Sequence, residues 1–223
     1  MTLDTTYPFS ADAFRQRVTE RFTSRADVMA AMASDGKLNP DYLEQVKTCT
    51  FRDAAVLIPV IDRGGEATVL LTQRTEHLSS HSGQVAFPGG KIDEGEAPIE
   101  AALREAEEEV GLAGDQIEVL GAFGDYYSGS GYKIVPVVGM VSPDAQLSLN
   151  ENEVAAAFEV PLSFLMNEDN HGIESRTFKG NERHFYAMPW QDEAVSPSVE
   201  RRIWGVTAGI IQMMHERLYG DAR

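Results

Sequence analysis

The chain has 223 residues, of which 43% are hydrophobic and 24% charged, which is typical of one globular domain with a sizeable core. Nineteen Lys and Arg against 35 Asp and Glu give a net charge of −16, which disfavours nucleic acid and anionic membranes as partners. We expect no membrane span, because no run approaches the roughly 20 apolar residues needed to cross a bilayer. We expect no secretory signal, because residues 1–9 have neither a basic start nor an apolar run. Cys49 is the only cysteine, which excludes an internal disulfide and indicates a reducing, cytoplasmic location.

Residues 1–50 are predicted to be helical. After Ser10, apolar residues recur at helical spacing at Phe14, Val18 and Phe22. Ser24 and Asp27 resemble a capping box before a second short helix, and a third is predicted over residues 42–46.

From residue 54 the pattern changes to strands. Branched apolar runs predict strands at 54–61, 68–72, 117–123, 134–141, 177–178 and 184–187. Gly64-Gly65 and Gly180-Asn181 indicate two hairpins. A closing amphipathic helix places these residues on one face, with Trp204 as a core residue: Ile203, Val206, Thr207, Ile210, Ile211, Met214 and Leu218. Together these elements predict an α+β fold, a three-layer α/β/α sandwich in one domain.

The most informative segment is an acidic helix between Pro98 and Gly111. Proline suits the first helical turn and glycine suits the C-terminal stop. At about 100° per residue, one stripe is apolar and is expected to face the core: Ile99, Ala102, Leu103, Ala106 and Val110. On the adjoining side, an arc of about 100° carries three glutamates: Glu105, Glu108 and Glu109.

The spacing of these three carboxylates is unfavourable for the helix alone. Residues at i, i+3 and i+4 repel by a few tenths of a kcal/mol per pair, and the helix dipole disfavours anions in the last turn. A hard divalent cation such as Mg²⁺ or Mn²⁺ would relieve the repulsion while leaving positions for water and substrate phosphates. A solvated acidic face is the alternative interpretation of a Glu-rich helix.

Residues Gly90 to Leu112 match the Nudix box, G-x5-E-x7-R-E-U-x-E-E-x-G-U with U aliphatic, at every fixed position. The chain therefore resembles a Nudix hydrolase. The resemblance implies a single Nudix domain over 1–223, with a mixed sheet, 1–50 as a helical extension, extra helices at both ends, and the box at 90–112. It also implies that Glu105, Glu108 and Glu109 bind the metal, that the Gly90 carbonyl adds a ligand, and that Arg104 holds the glutamates in place.

The reaction implied by this resemblance is hydrolysis of a nucleoside diphosphate linked to another group. Metal ions neutralise the diphosphate and lower the pKa of a bound water, which attacks phosphorus. A carboxylate accepts the proton, and it comes either from the box or from outside it. The outside candidate is Glu153, in a loop that enters an apolar run. For Glu153 a solvated loop acid is the alternative.

The segment before the box resembles the coenzyme A pyrophosphatase branch, whose pattern is LLTxR[SA]-x3-R-x3-G-x3-FPGG. Residues 70–74 and 83–90 follow it, but Thr75 replaces Ser or Ala and Ser79 replaces an Arg. Around this segment four residues are candidates for binding the substrate: Arg74, His81, Gln84 and Lys91. For Arg74 the alternative is a pair with an acid at a strand edge, and for His81 a turn cap.

The substrate expected from this branch is coenzyme A or acyl-CoA, cleaved to 3′,5′-ADP and 4′-phosphopantetheine or its acyl form. Because Ser79 stands where the pattern has a positively charged Arg, ADP-ribose or a dinucleotide remains open as an alternative substrate. A non-catalytic nucleotide-binding module is a further alternative, disfavoured by the intact glutamates. A homodimer is compatible with the sequence.

Overall fold

The computed structural model describes residues 7–21, 34–40, 50–76, 83–178 and 180–220. The expectations at Phe22, Ser24, Asp27 and 42–46 lie outside these ranges. In the part described, no helix is both long and apolar enough to cross a bilayer.

One large mixed sheet forms the middle of the fold. Its strands are β1 (Arg52–Asp62), β2 (Ala67–Arg74), β3 (Val85–Ala86), β4 (Gly89–Lys91), β5 (Ile117–Ala122), β6 (Tyr126–Tyr127), β7 (Tyr132–Val141) and β8 (Val154–Pro161). The order is β3-β2-β1-β7-β5, with β4 on β1, β6 on β7 and β8 on β2. Only β1 and β7 pair in parallel among these strands. The predicted α+β fold with a mixed sheet is confirmed.

One edge of β1 is shared between two partners. Its first half, Ala54 to Val56, pairs with β4, whereas Val60 to Asp62 pairs with β2 in the predicted hairpin. Between them, the N–H of Leu57 donates to the Pro88 carbonyl at 2.8 Å. Two different strands therefore share this edge of β1, and the Gly89-Gly90 backbone that follows Pro88 is fixed to the central strand.

The sheet separates two hydrophobic cores because successive side chains point to opposite faces. On β1, Ala55, Leu57 and Ile61 belong to one cluster, and the alternate residues Ile58 and Val60 belong to the other. The first cluster is completed by helix α3 (Pro98–Val110), and the second by helices α1 (Ala11–Arg21) and α5 (Gly205–Leu218). Two further short helices are α2 (Ser34–Leu38) and α4 (Leu162–Leu165).

Helix α3 begins and ends where the sequence predicts. Pro98 is its first residue, and Gly111 caps it in the left-handed conformation at φ 73°. Its N-cap, Ala97, has no side-chain acceptor, but Glu100 accepts a hydrogen bond from the Ala97 N–H at 2.9 Å. The predicted stripe is wrong at one end: Ile99 is 40% exposed, whereas Ala101 is fully buried. The arc of α3 that contacts the sheet is thus rotated relative to the stripe.

A second, three-stranded sheet precedes the closing helix. Its strands are β9 (Gly172–Phe178), β10 (Asn181–Asp192) and β11 (Val199–Trp204), in the order β11-β10-β9. Ile203 and Trp204 therefore end a strand, and α5 begins only at Gly205, two residues later than the sequence suggests. Trp204 is half-buried beside Phe185 rather than a core residue of the helix.

Candidate active site

Two glutamates of α3 face the glycine loop of β4. A Cβ added to Gly90 would lie 2.4 Å from Glu105 Oε1, so the Glu105 carboxylate is in contact with the Gly90 backbone. The Glu109 carboxylate, only 5% exposed, accepts a hydrogen bond from the Gly89 N–H at 3.3 Å. The pairing of β4 with β1 fixes the backbone of Gly89 and Gly90, and both carboxylates lie against this backbone.

Arg104 connects this pair to the rest of the box. Its guanidinium donates to both carboxylate oxygens of Glu96 at 2.8 and 3.0 Å, to Glu105 at 2.9 Å and to the Lys91 carbonyl at 3.1 Å. Glu108, whose side chain is 58% exposed, is also paired with Arg104 at 3.4 Å. Arg104 thus contacts Glu96, Glu105 and Glu108 at once, and its role of holding the glutamates in place for a metal stays a prediction.

Arg74, at the end of β2, contacts the third glutamate of the box. Its guanidinium lies 3.4 Å from Glu109 Oε1 and is 27% exposed at the side chain. The alternative that the sequence left open for Arg74, a pair with an acid, is therefore present, and the acid is Glu109 of the box. A role for Arg74 in binding the substrate stays a prediction.

Glu153 reaches the same region from the loop before β8. The N–H of Asn150 donates to the Glu109 carbonyl at 2.9 Å, and the N–H of Thr75 donates to the Glu153 carbonyl at 2.9 Å. Glu153 itself is half-buried, and Asn150 donates to its carboxylate at 3.3 Å. The structure therefore brings Glu153 beside the end of β2 and the end of α3.

The other predicted substrate residues are placed less directly. Gln84 is half-buried next to β3, and its backbone carbonyl accepts a hydrogen bond from the backbone N–H of Arg74 at 2.9 Å. Lys91 is exposed at the end of β4, where its carbonyl is bound by Arg104. His81 and Ser79 lie outside the described residues.

The electrostatics of the site follow from burial and crowding of like charges. Burial raises the pKa of Glu109 to about 7, opposed by the Arg74 charge and the Gly89 hydrogen bond and reinforced by the charges of Glu105 and Glu153. Burial also raises the pKa of Glu105, which the hydrogen bond from Arg104 opposes. In contrast, the Arg104 hydrogen bond lowers the pKa of half-buried Glu96. Burial therefore disfavours the charged forms of Glu105 and Glu109 by more than the neighbouring arginines favour them.

The donor set fits a hard divalent cation. Within the described ranges no three His, Cys, Asp or Glu side chains are grouped so as to hold a metal ion as they stand, and Arg104 and Arg74 bond to the box carboxylates. The donors near Gly90 are nevertheless all oxygens, and buried Glu109 has a raised pKa that a positive charge would counteract. Metal binding by Glu105, Glu108, Glu109 and the Gly90 carbonyl stays a prediction.

One residue with a structural part in this region, Thr75, appears in the sequence only as a departure from a family pattern. It is 7% exposed, and its hydroxyl donates to the Asn152 carbonyl at 3.2 Å. No local periodicity marks this contact, because its two residues are 77 positions apart.

Comparison with known proteins gives one consistent family. The model of the NUDIX domain matches residues 50–180. A protein named "Uncharacterized Nudix hydrolase NudL" from Escherichia coli O7:K1 is 40% identical over 168 residues, which cover 74% of this chain and 82% of that protein. The protein of the same name from Shigella boydii serotype 18 gives the same identity and coverage. Among solved structures, a Nudix hydrolase from M. smegmatis, RenU, is 28% identical with a TM-score of 0.44 over 50% of this chain and 71% of that one.

Proposed function

The chain belongs to the Nudix hydrolase family, and from the pattern of residues 70–90 we propose that its substrate is coenzyme A or acyl-CoA. As a family member it is a pyrophosphohydrolase that acts on small nucleoside diphosphate derivatives, and Nudix hydrolases use divalent metal ions. The finer proposal is cleavage of the coenzyme A diphosphate to 3′,5′-ADP and 4′-phosphopantetheine, or to the acyl form from acyl-CoA. The single cysteine of the chain supports a cytoplasmic location.

The observation that carries this proposal joins the sequence pattern to the site. The segment 70–90, similar to the coenzyme A pyrophosphatase pattern, supplies Arg74, Gly89 and Gly90, which contact the box glutamates Glu105 and Glu109. The residues of the branch pattern are therefore next to the acids that the reaction needs. This contact supports assigning the branch as well as the family.

The metal would be held by Glu105, Glu108, Glu109 and the Gly90 carbonyl, and we propose Mg²⁺ or Mn²⁺ because all these donors are oxygens. When bound, it supplies positive charge for the diphosphate and lowers the pKa of a bound water. Arg104 keeps the carboxylates of Glu105 and Glu108 oriented through charge-assisted hydrogen bonds.

Protein groups perform the remaining steps. Glu153 accepts the proton of the attacking water, since its half-buried carboxylate lies where its charge acts on Glu105 and Glu109. Arg74, partly exposed beside Glu109, binds a substrate phosphate. His81, Gln84 and Lys91 complete the proposed contacts with the substrate.

Turnover of a substrate panel tests this function. The purified protein is incubated with Mg²⁺ or Mn²⁺ and coenzyme A, acetyl-CoA, ADP-ribose or a diadenosine polyphosphate, and the products are separated by chromatography. We expect the highest kcat/KM for a coenzyme A species, with 3′,5′-ADP as a product. Equal or faster hydrolysis of ADP-ribose or the dinucleotide would replace coenzyme A as the substrate, and this is the outcome that the missing cation at Ser79 would produce.

A further inference from the structure

Thr75 is a buried polar residue at the end of β2, next to Arg74. It is 7% exposed, and both of its hydrogen-bond donors are used on the loop before β8. Its N–H donates to the Glu153 carbonyl at 2.9 Å, and its hydroxyl donates to the preceding carbonyl, that of Asn152, at 3.2 Å. Thr75 therefore binds the two carbonyls on either side of the Glu153 Cα, those of Asn152 and of Glu153 itself.

The pairing of β2 with β8 changes register at this point. Gln73 pairs with Ala156, but Arg74 pairs with Val154, so the chain of β8 contains one additional residue beside the site. An additional residue interrupts the ladder and re-aims the side chains next to it. Beyond the irregularity, the bonds from Thr75 replace the regular ladder in holding this strand end.

The loop is also bound to the C-terminal end of α3. The N–H groups of Ser148 and Asn150 each donate at 2.9 Å, to the carbonyls of Val110 and Glu109. These are carbonyls that a helix end leaves without an intrahelical partner. The stretch from Ser148 to Glu153 is thus anchored at one end to the helix that carries the box glutamates and at the other end to Thr75.

We propose that Thr75 is a positioning residue, which sets where the Glu153 carboxylate lies relative to Glu105 and Glu109. This inference rests on the proposed function, because that function gives Glu153 the role of proton acceptor. Arg74 and Thr75 then act as neighbours with separate partners: Arg74 contacts the side chain of Glu109, and Thr75 holds the backbone of Glu153.

The hydroxyl is the part of Thr75 that can be tested by substitution. Thr75→Val keeps the size of the side chain and the backbone bond to Glu153 but removes the bond to Asn152. Thr75→Ser keeps the hydroxyl and should restore the wild-type behaviour. Thr68→Val is the matched control, because Thr68 lies on the same strand and its hydroxyl bonds at 2.6 Å to Glu159, outside the box.

Steady-state kinetics on coenzyme A, or on whichever diphosphate the wild-type protein hydrolyses, provide the first readout. We expect Thr75→Val to lower kcat about tenfold with KM unchanged, since small misplacement of a reacting group is costly. Thr75→Ser and Thr68→Val should stay within about twofold of wild type. Combined with Glu153→Gln, Thr75→Val should add no further loss, because Thr75 acts through Glu153.

Crystal structures of the Thr75→Val and Thr68→Val proteins provide a readout that needs no activity. We expect the Asn152–Glu153 peptide and the Glu153 carboxylate to move only in Thr75→Val.

An unmoved Glu153 in Thr75→Val overturns the inference, as does a wild-type kcat or a loss that multiplies with that of Glu153→Gln. A wild-type rate in Glu153→Gln overturns both the proton-acceptor role and this inference while the hydrolase function stands. Absence of hydrolysis by the wild-type protein overturns the proposed function alone, and the structures then decide the positioning.

Discussion

The carboxylate of Glu105 lies against the backbone of Gly90 with no room for a side chain between them. A Cβ at Gly90 would be 2.4 Å from Glu105 Oε1, closer than real Cβ atoms approach other heavy atoms. Glu105 would move, since its carboxylate ends a flexible side chain. We therefore expect Gly90→Ala to fold with a melting temperature near that of wild type and to lose at least about tenfold in kcat.

Gly89→Ala is the control for this substitution. Its Cβ would lie 2.4 Å from the Ala55 carbonyl oxygen and 2.6 Å from the Val56 Cα, which are backbone atoms of the central strand β1. Backbone in a paired strand cannot yield in the same way, so this variant should lose several degrees of melting temperature. Equal melting temperatures for the two variants, measured by thermal unfolding, would contradict the assignment of the Gly90 contact to the site.

Replacing Arg104 by lysine should lower activity although it conserves the charge. A lysine ammonium cannot bridge Glu96, Glu105 and the Lys91 carbonyl in the fixed geometry of the guanidinium. We expect a loss of about 10- to 100-fold in kcat/KM or metal affinity. Arg63→Lys, in a pair with Glu159 outside the box, should leave turnover unchanged. The same loss in both proteins would show that Arg104 has no special role.

The pKa of Glu109 predicts how the stability of the metal-free protein depends on pH. Because burial raises this pKa to about 7 from an ordinary 4.5, its favourable contribution is complete below about pH 4.5 and is lost as the pH rises through about 7. With a chelator present, the melting temperature of the wild-type protein should therefore fall relative to that of Glu109→Gln as the pH rises from 5 to 8. Parallel curves for the two proteins over this range would refute the raised pKa.

Glu108→Gln should separate activity from folding. The Glu108 side chain is 58% exposed and makes one long ion pair, so its replacement should leave the melting temperature within about a degree. If Glu108 binds metal, turnover with Mg²⁺ and the affinity for Mn²⁺, measured by electron paramagnetic resonance, should both collapse. Its exposed neighbour Glu107 offers the matched control Glu107→Gln, which should keep both. Unchanged turnover in Glu108→Gln would remove its metal role.

Local signals in the sequence are enough to place the box helix and its acids. Pro98 and Gly111 act on their own turns of backbone, so the ends of α3 follow from the residues that stand there. Periodicity alone could not assign Ile99, because which arc of the helix contacts the sheet depends on strands distant in sequence. The helical spacing of apolar residues also includes Ile203, but Ile203 pairs with Met188 on β10 and therefore belongs to a strand.

The details of the site arise from contacts that no local pattern records. Strands of two or three residues, such as β3, β4 and β6, are too short to show a period, and they exist because of their partners on β1, β2 and β7. The contacts of Arg74 with Glu109 and of Thr75 with Asn152 depend on the same pairing. The sequence therefore indicates candidate residues for the chemistry, but the contacts that those residues make can be found only in the folded chain.

Among the residues that the structure describes, every partner of Arg104 lies between Lys91 and Glu108, within one short stretch of the chain. The guanidinium network is therefore inherited as a unit, and substitutions elsewhere cannot remove one of its members. Descendants of this chain can exchange residues elsewhere while the charge network that orients Glu105 and Glu108 passes on intact. Coinheritance of an arginine with the carboxylates that it orients is the evolutionary outcome that such a self-contained arrangement permits.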